Sequence, residues 1–349
     1  MLAQTARKAL VVTLVAGGVV LVALALWKLK LVISLVFLGF IIAAAMRPGI
    51  DALHRRRVPK GVGLAIHYLA LAGVVALFLW LVVPRAVAQV QNALDADQLR
   101  HAAQTSSGIK HEILLGLEKR LERLPAGSRV LRPAAEVTKR AFEVMLGIFF
   151  TFATAAYWIF ERDRAIDLVA SLLPRPKRKR LRDTWNLIDL KLGAFVRGEA
   201  LLIVFVGTLL SISFALIGLP YWLLIGAFAG IVEIVPVIGP IVAGALAVGV
   251  GFTVSWHVGV AAGIIVFLVR LLEDYLILPK VLGEATGLSP LVVLFSVSAV
   301  TILFGGFAVL LAVPLAAVVA TVIDVAVRGR DPADEEVPTV LFPAKDAEA

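Results

Sequence analysis

Apolar residues run along this chain in blocks long enough to cross a bilayer, and short polar or strongly basic loops separate them. Ala9–Leu26 and Leu31–Met46 are divided only by Trp27, Lys28, Leu29 and Lys30, and predict two spans in a tight hairpin. Ala23-Leu24-Ala25 resembles a signal-peptidase site, but the second apolar run follows so closely that a retained anchor is the reading adopted. Further spans are predicted at Gly61–Val83, which ends at Pro84, and at Phe142–Phe160, Ala200–Ile217 and Val258–Leu278. Between the third and fourth spans the pattern changes to a helical period of mixed polarity. Ile113, Leu114, Leu117, Leu121 and Leu124 share one face, opposite Glu118, Lys119, Glu122 and Arg123. This Arg85–Arg140 segment reads as amphipathic helices at the membrane surface or as a small soluble helical insertion.

Two stretches are too long for one upright span. Gly218–Phe252 has 35 residues with Glu233 as its only charge, and as one straight helix it would measure ~52 Å against a hydrocarbon core of ~30 Å. Pro236, Gly239 and Pro240 supply a break, because proline removes a backbone donor and clashes with the preceding turn. Leu288–Ile323 is uncharged and is interrupted at Gly305-Gly306 and Pro314. The openings match: from Gly218 to Pro236 and from Gly287 to Gly305 the chain advances by the same number of residues. Paired, interrupted hydrophobic segments point to a transporter binding site made from non-helical backbone. Two long, tilted helices with packing glycines are the plainer alternative.

The expected fold is therefore an all-α membrane protein of about eight hydrophobic segments. Two of them are Gly/Pro-broken and form an inverted re-entrant pair, and an amphipathic helical insertion is added. The organisation reads as three N-terminal spans (1–83), the polar insertion (84–140), a fourth span with a basic loop (141–193), a transport core (194–327) and a flexible polar tail (328–349). At 60% hydrophobic residues and a mean hydropathy of +0.95, the composition agrees with a polytopic membrane protein.

Charge settles orientation more than chemistry. Arg47–Lys60 and Arg162–Lys191 concentrate Lys and Arg beside spans, which predicts cytoplasmic loops, contact with anionic lipid headgroups and cytoplasmic termini. The net charge of +9 needs no nucleic-acid partner in that setting. Cysteine is absent, which excludes disulfides, thiolate metal sites and a thiol nucleophile. His54, His67, His101, His111 and His257 are scattered without metal-ligand spacing, and neither a metal nor another cofactor is expected.

Glu233 is the first candidate site residue, since an ionisable group in an apolar segment marks an ion or substrate path. It could load and release a proton, or bind sodium together with carbonyls freed near Pro236 and Pro240. Arg270 can meet Glu273 three residues on or Asp274 four residues on, so these three form the second candidate group. Pro236, Gly239, Pro240, Gly305 and Gly306 are expected to form the non-helical backbone of the site. If both broken stretches are re-entrant they enter from opposite faces. If both are full spans, Lys280 and Glu284 fall on the other side.

Three blocks together resemble the AI-2E family of membrane transporters: Phe195–Glu199 (FVRGE), Gly218–Pro240 (GLPY…EIVPVIGP) and Leu272–Leu291 (LEDYLILPKVLG…TGLSPL), continued by Phe304–Ala316. The resemblance departs at Glu199, where many members have Gln, and at Glu233, where many have Asn. It implies a multipass protein of a bacterial cytoplasmic membrane that exports a small polar metabolite such as autoinducer-2 in some members and exchanges sodium for protons in others. A secondary, ion-coupled exporter, with a small molecule or ion as substrate and a homo-oligomeric assembly, is the leading expectation. A passive oligomeric channel and a non-transporting scaffold are the alternatives. No ATP-binding loop of the Walker type and no catalytic constellation stands within the spans, so an enzyme is not expected.

Overall fold

The computed structural model describes residues 2–94, 131–236, 238–277, 289–335 and 337, and every regular element among them is helical. The helices are α1 (Leu2–Lys28), α2 (Lys30–Arg55), α3 (Lys60–Leu94), α4 (Leu131–Ser171), α5 (Arg175–Leu216), α6 (Trp222–Val232), α7 (Ile238–Val254), α8 (Trp256–Leu272), α9 (Pro290–Phe304) and α10 (Ala312–Ala326). A π-helical turn, Glu273–Ile277, extends α8, and a 3-10 helix, Gly306–Leu311, precedes α10. Five helical stretches are long and apolar enough to cross a membrane, and shorter apolar helices accompany them. The predicted amphipathic face at 111–124 and the connector 278–288 lie outside the described residues.

The long helix α5 is the spine. Its 42 residues span ~63 Å, and its two halves carry different partners. On the second half α6 runs antiparallel in close contact, because small residues face each other. A Cβ on Gly230 would stand 2.6 Å from the Ile203 carbonyl oxygen and 2.8 Å from the Gly207 Cα, and Gly226 is pressed against Ser211. Such small-residue faces let helix backbones approach where lipid gives no hydrophobic drive for association. The reversal between α5 and α6 uses Gly218 at φ +69° and Tyr221 at φ +59°.

After α6 the chain breaks at Glu233–Pro236 and returns along α7. Helices α7 and α8 then form a second antiparallel pair, with Gly251 on Gly259 and Gly244 on Val266. The Ser255 hydroxyl caps α8 by accepting from the Val258 N–H at 3.2 Å. A space of about 490 Å³ separates the pair α5–α6 from the pair α7–α8. Its walls run over Val206–Phe214 of α5 and Pro240–Val248 of α7, about 12 Å along each helix, which places the two side by side. Gly218–Phe252 is thus a helical hairpin and not a single bent span.

The second broken stretch is also a hairpin. Val297 and Val300 of α9 pack with Ala308 and Ala312 across the turn, and Val293 and Leu315 flank them. It docks on the first half of α5. Leu311 packs among Leu192, Ile41 and Ala44, Lys191 Nζ donates to Thr321 Oγ1 at 3.3 Å, and the Arg180 guanidinium donates to the Val325 carbonyl at 2.5 Å. The two hairpins therefore approach the middle of α5 from opposite ends, with their breaks facing that middle. This is the arrangement expected of inverted repeats.

One local expectation is corrected. The first two apolar runs do not make a tight hairpin: Leu29 N–H donates to Ala25 and Ile33 N–H to Leu29, both at 2.9 Å, so helical hydrogen bonds continue from α1 into α2. Trp27-Lys28-Leu29-Lys30 contains neither Gly nor Pro to stop them. The third span lies where expected, at Lys60–Arg85, and helix α3 itself continues through Pro84 to Leu94. Residues 336 and 338–349 of the polar tail lie outside the described residues; in its described part the Glu335 carboxylate meets Lys191 Nζ at 2.5 Å.

A buried ionic network fixes α2, α4 and α5 to one another. Arg162, 5% exposed, donates to Asp189, to Asn186 at 2.6 Å and to Asp163 at 2.9 Å. Arg47 joins it from α2, 3.5 Å from Asp189.

Candidate functional site

The break after α6 leaves Glu233 at the end of the cavity. Helix α6 ends at Val232, so Glu233 lies in the break itself rather than before it. The side chain is 7% exposed, and a carboxylate at that depth requires a partner. Arg270, in the last turn of α8, supplies it. One guanidinium nitrogen, Nη1, stands 3.2 Å from Glu233 Oε1 and 3.0 Å from Glu273 Oε2, and Nη2 stands 3.1 Å from Asp274 Oδ1. Glu273, itself 3% exposed, opens the π-helical turn. A single π turn inside a helix re-aims the side chains that follow it and recurs at functional sites. One arginine thus binds the break of the first hairpin to the end of the second helix pair.

Above this charged end the cavity is apolar. Val206, Leu210 and Phe214 come from α5, Ala243 and Val248 from α7, and Val266 and Phe267 from α8. Among the described residues, Glu233, Arg270 and Glu273 are the only lining residues with ionisable or hydrogen-bonding side chains. Among the described residues no group of His, Cys, Asp and Glu has a metal-binding arrangement.

The structure gathers some of the expected residues and disperses others. Glu233, Arg270, Glu273 and Asp274 form one ionic cluster. Pro236 lies in the break, where its carbonyl accepts from the Ile238 N–H at 2.8 Å. Gly239 and Pro240 were expected to be non-helical, but they sit in the first turn of α7. A proline is tolerated there because its missing N–H has no intrahelical partner to lose. Gly239 packs directly on the Val232 carbonyl, leaving no room for a side chain. Glu233 meets a guanidinium where freed carbonyls were expected. Gly305 is non-helical at φ +96°, whereas Gly306 starts the 3-10 helix. Neither lines the charged cavity. Their hairpin borders a separate apolar space of about 270 Å³, lined by Ser34, Phe37, Phe304 and Leu311.

Glu199 was not among the residues singled out for the site. It lies on α5 within electrostatic range of Glu273 and Glu233. Its Oε1 is buried and has no hydrogen-bond partner among the described residues. The signal was present in the FVRGE block, where Glu199 stands last before the apolar half of α5. Arg197 of the same block donates to the Ala45 carbonyl at 3.2 Å and so ties the spine to α2.

Comparison with known proteins agrees with this architecture. The family model described as AI-2E family transporter matches residues 17–328. The provisionally named transport protein YrrI of Bacillus subtilis (strain 168) is 25% identical over 308 residues, which cover 82% of this chain and 86% of the relative. YueF of the same organism, also provisionally named a transport protein, is 26% identical over 289 residues, 76% of this chain and 77% of the relative. A Mycobacterium tuberculosis (strain CDC 1551 / Oshkosh) relative, MT0215, again provisionally named a transport protein, is 24% identical over 330 residues, 88% of this chain and 86% of its own.

Proposed function

Because the chain belongs to the AI-2E family of transporters, we propose that this multi-pass membrane protein is a secondary, ion-coupled exporter whose coupling site is the Glu233–Arg270–Glu273 cluster. One observation carries the proposal: Arg270 bridges Glu233 in the break to Glu273 on α8, at the charged end of the cavity between two helix pairs. A proton or sodium ion on Glu233 competes with Arg270 for the same carboxylate. Loading the ion weakens the tie between α6 and α8, and unloading restores it. A ligand shifts a conformational equilibrium only by its differential affinity for the two states, and the bridge is the contact that would differ. Glu199, whose buried Oε1 has no hydrogen-bond partner among the described residues, is the adjoining carboxylate for a second proton or ion. The basic first turns of α5 at Arg175–Arg180 support an orientation with that end of α5 and both termini on the cytoplasmic side of the bacterial inner membrane, against anionic headgroups.

Of the solutes the family implies, an exchanged cation suits the carboxylates. A polar metabolite such as autoinducer-2 finds, among the described residues, three polar side chains in the wall. The test is gradient-driven sodium and proton flux in proteoliposomes, wild type beside Glu233→Gln. Saturable flux that the substitution reduces at least roughly tenfold, an effect of about 1.4 kcal/mol, supports the coupling role. Equal flux in both overturns it.

A further inference from the structure

We infer that the cavity between the α5–α6 and α7–α8 pairs takes amphiphilic organic cations, molecules with a bulky apolar body and a single positive centre. The inference rests on the transporter reading and adds the class of solute to it. Size comes first. A space of about 490 Å³ falls within the ~300–1,000 Å³ of small-molecule sites and far exceeds what a bare ion needs. The walls come second. Aliphatic side chains with Phe214 and Phe267 among them suit an apolar body, and aromatic rings attract cations through their faces.

Charge comes third and decides the sign. Among the described residues Arg270 is the one cation of the cluster, and Glu233, Glu273 and Asp274 contact it while Glu199 lies within range. An anion entering from the cavity must displace carboxylates from Arg270. A cation adds to them. A monocation that takes the place of one carboxylate-bound proton leaves the cluster's net charge unchanged, so entry of one and release of the other balance. The route in is lateral. The lining residues Ile241 and Phe267 are 64% and 63% exposed, so the cavity mouth opens on the apolar outer surface of the helices, where amphiphiles partition.

The test is equilibrium binding of tetraphenylphosphonium to the purified full chain in detergent, beside tetraphenylborate, which has the same shape and the opposite charge. The expected result is saturable binding of the phosphonium with proton release to an indicator dye, and no competition by the borate. Glu233→Gln should weaken binding at least tenfold. Ala245→Phe, which places a ring in the cavity from an exposed lining position, should do the same without touching the carboxylates. Equal binding of phosphonium and borate, or binding that neither substitution changes, overturns the inference and assigns the signal to partition into detergent. Glu233-dependent sodium flux without phosphonium binding keeps the coupling site and removes this ligand class. Phosphonium binding without gradient-driven flux keeps the ligand class and removes the coupling.

Discussion

Arg270 gives the same guanidinium nitrogen to Glu233, 3.2 Å away in the break after α6, and to Glu273, 3.0 Å away at the end of its own helix. The two carboxylates are almost fully buried, and the arginine is the more accessible partner. Removing it strands two buried anions, whereas removing one carboxylate leaves the arginine two others.

Arg270→Ala should therefore destabilise the protein by about 3 kcal/mol, the low end for breaking a buried pair because the guanidinium is one-third exposed. Adding Glu233→Gln and Glu273→Gln to Arg270→Ala should recover most of that loss. Thermal unfolding in detergent, followed by loss of the monodisperse chromatographic peak, reads both steps. A triple variant no more stable than Arg270→Ala would contradict the pairing.

Packing of α6 on the spine predicts a graded glycine series. Gly230→Ala should cost about 1–3 kcal/mol, since the new Cβ meets the Ile203 carbonyl at 2.6 Å, backbone that cannot swing aside. Gly263→Ala, whose Cβ meets only a Val248 methyl at 3.5 Å, should stay within about 0.5 kcal/mol of wild type. Unfolding midpoints of the two variants side by side give the comparison, and similar midpoints would exclude close α5–α6 packing at that level.

In the network that joins α2, α4 and α5, Asp189→Asn should cost about 2 kcal/mol, because buried Arg162 loses its charged partner on α5 and keeps only Asn186 there. Arg47→Ala should cost no more than about 1 kcal/mol, as its side chain is one-third exposed. Reversal of that order in thermal unfolding would mean that Arg47 is the principal cation of the network.

Retention of the tail depends on Lys191. With Lys191→Met, Glu335 loses its buried partner, and limited trypsin digestion at Arg328 and Arg330 should speed up by at least roughly tenfold, the equivalent of about 1.4 kcal/mol. Unchanged digestion would show that Arg180 and Asp324, which also hold this segment, suffice without the lysine.

Much of this arrangement is legible in the sequence, because charges in apolar runs are conspicuous. Glu233, Arg270 and Glu273 stand out for that reason, and the i, i+3 relation of the last two is readable before any fold is known. Glu199 is less conspicuous: it follows a polar half-helix, where one more charge resembles a membrane-edge marker, and only the antiparallel docking of α6 brings the break to it. Proline and glycine report where a helix can end, and their letters do not distinguish a stop from a start. Pro240 and Gly239 begin α7, while Pro84 lies inside α3. The hydrogen bonds across Leu29 depend on the absence of a breaker, a negative signal that two adjacent apolar runs conceal.

Two hairpins docked on opposite halves of one spine also bear on how a membrane's electric field would act on the proposed site. Under the proposed coupling role, two breaks that both face the middle of α5 would leave a thinner apolar layer there, and a transmembrane potential would fall mostly across that layer. A charge exchanged at Glu233 as proposed would cross part of that potential, with up to ~2.3 kcal/mol per elementary charge for each 100 mV. Any net charge moved in the cycle makes the protein responsive to voltage as well as to concentration.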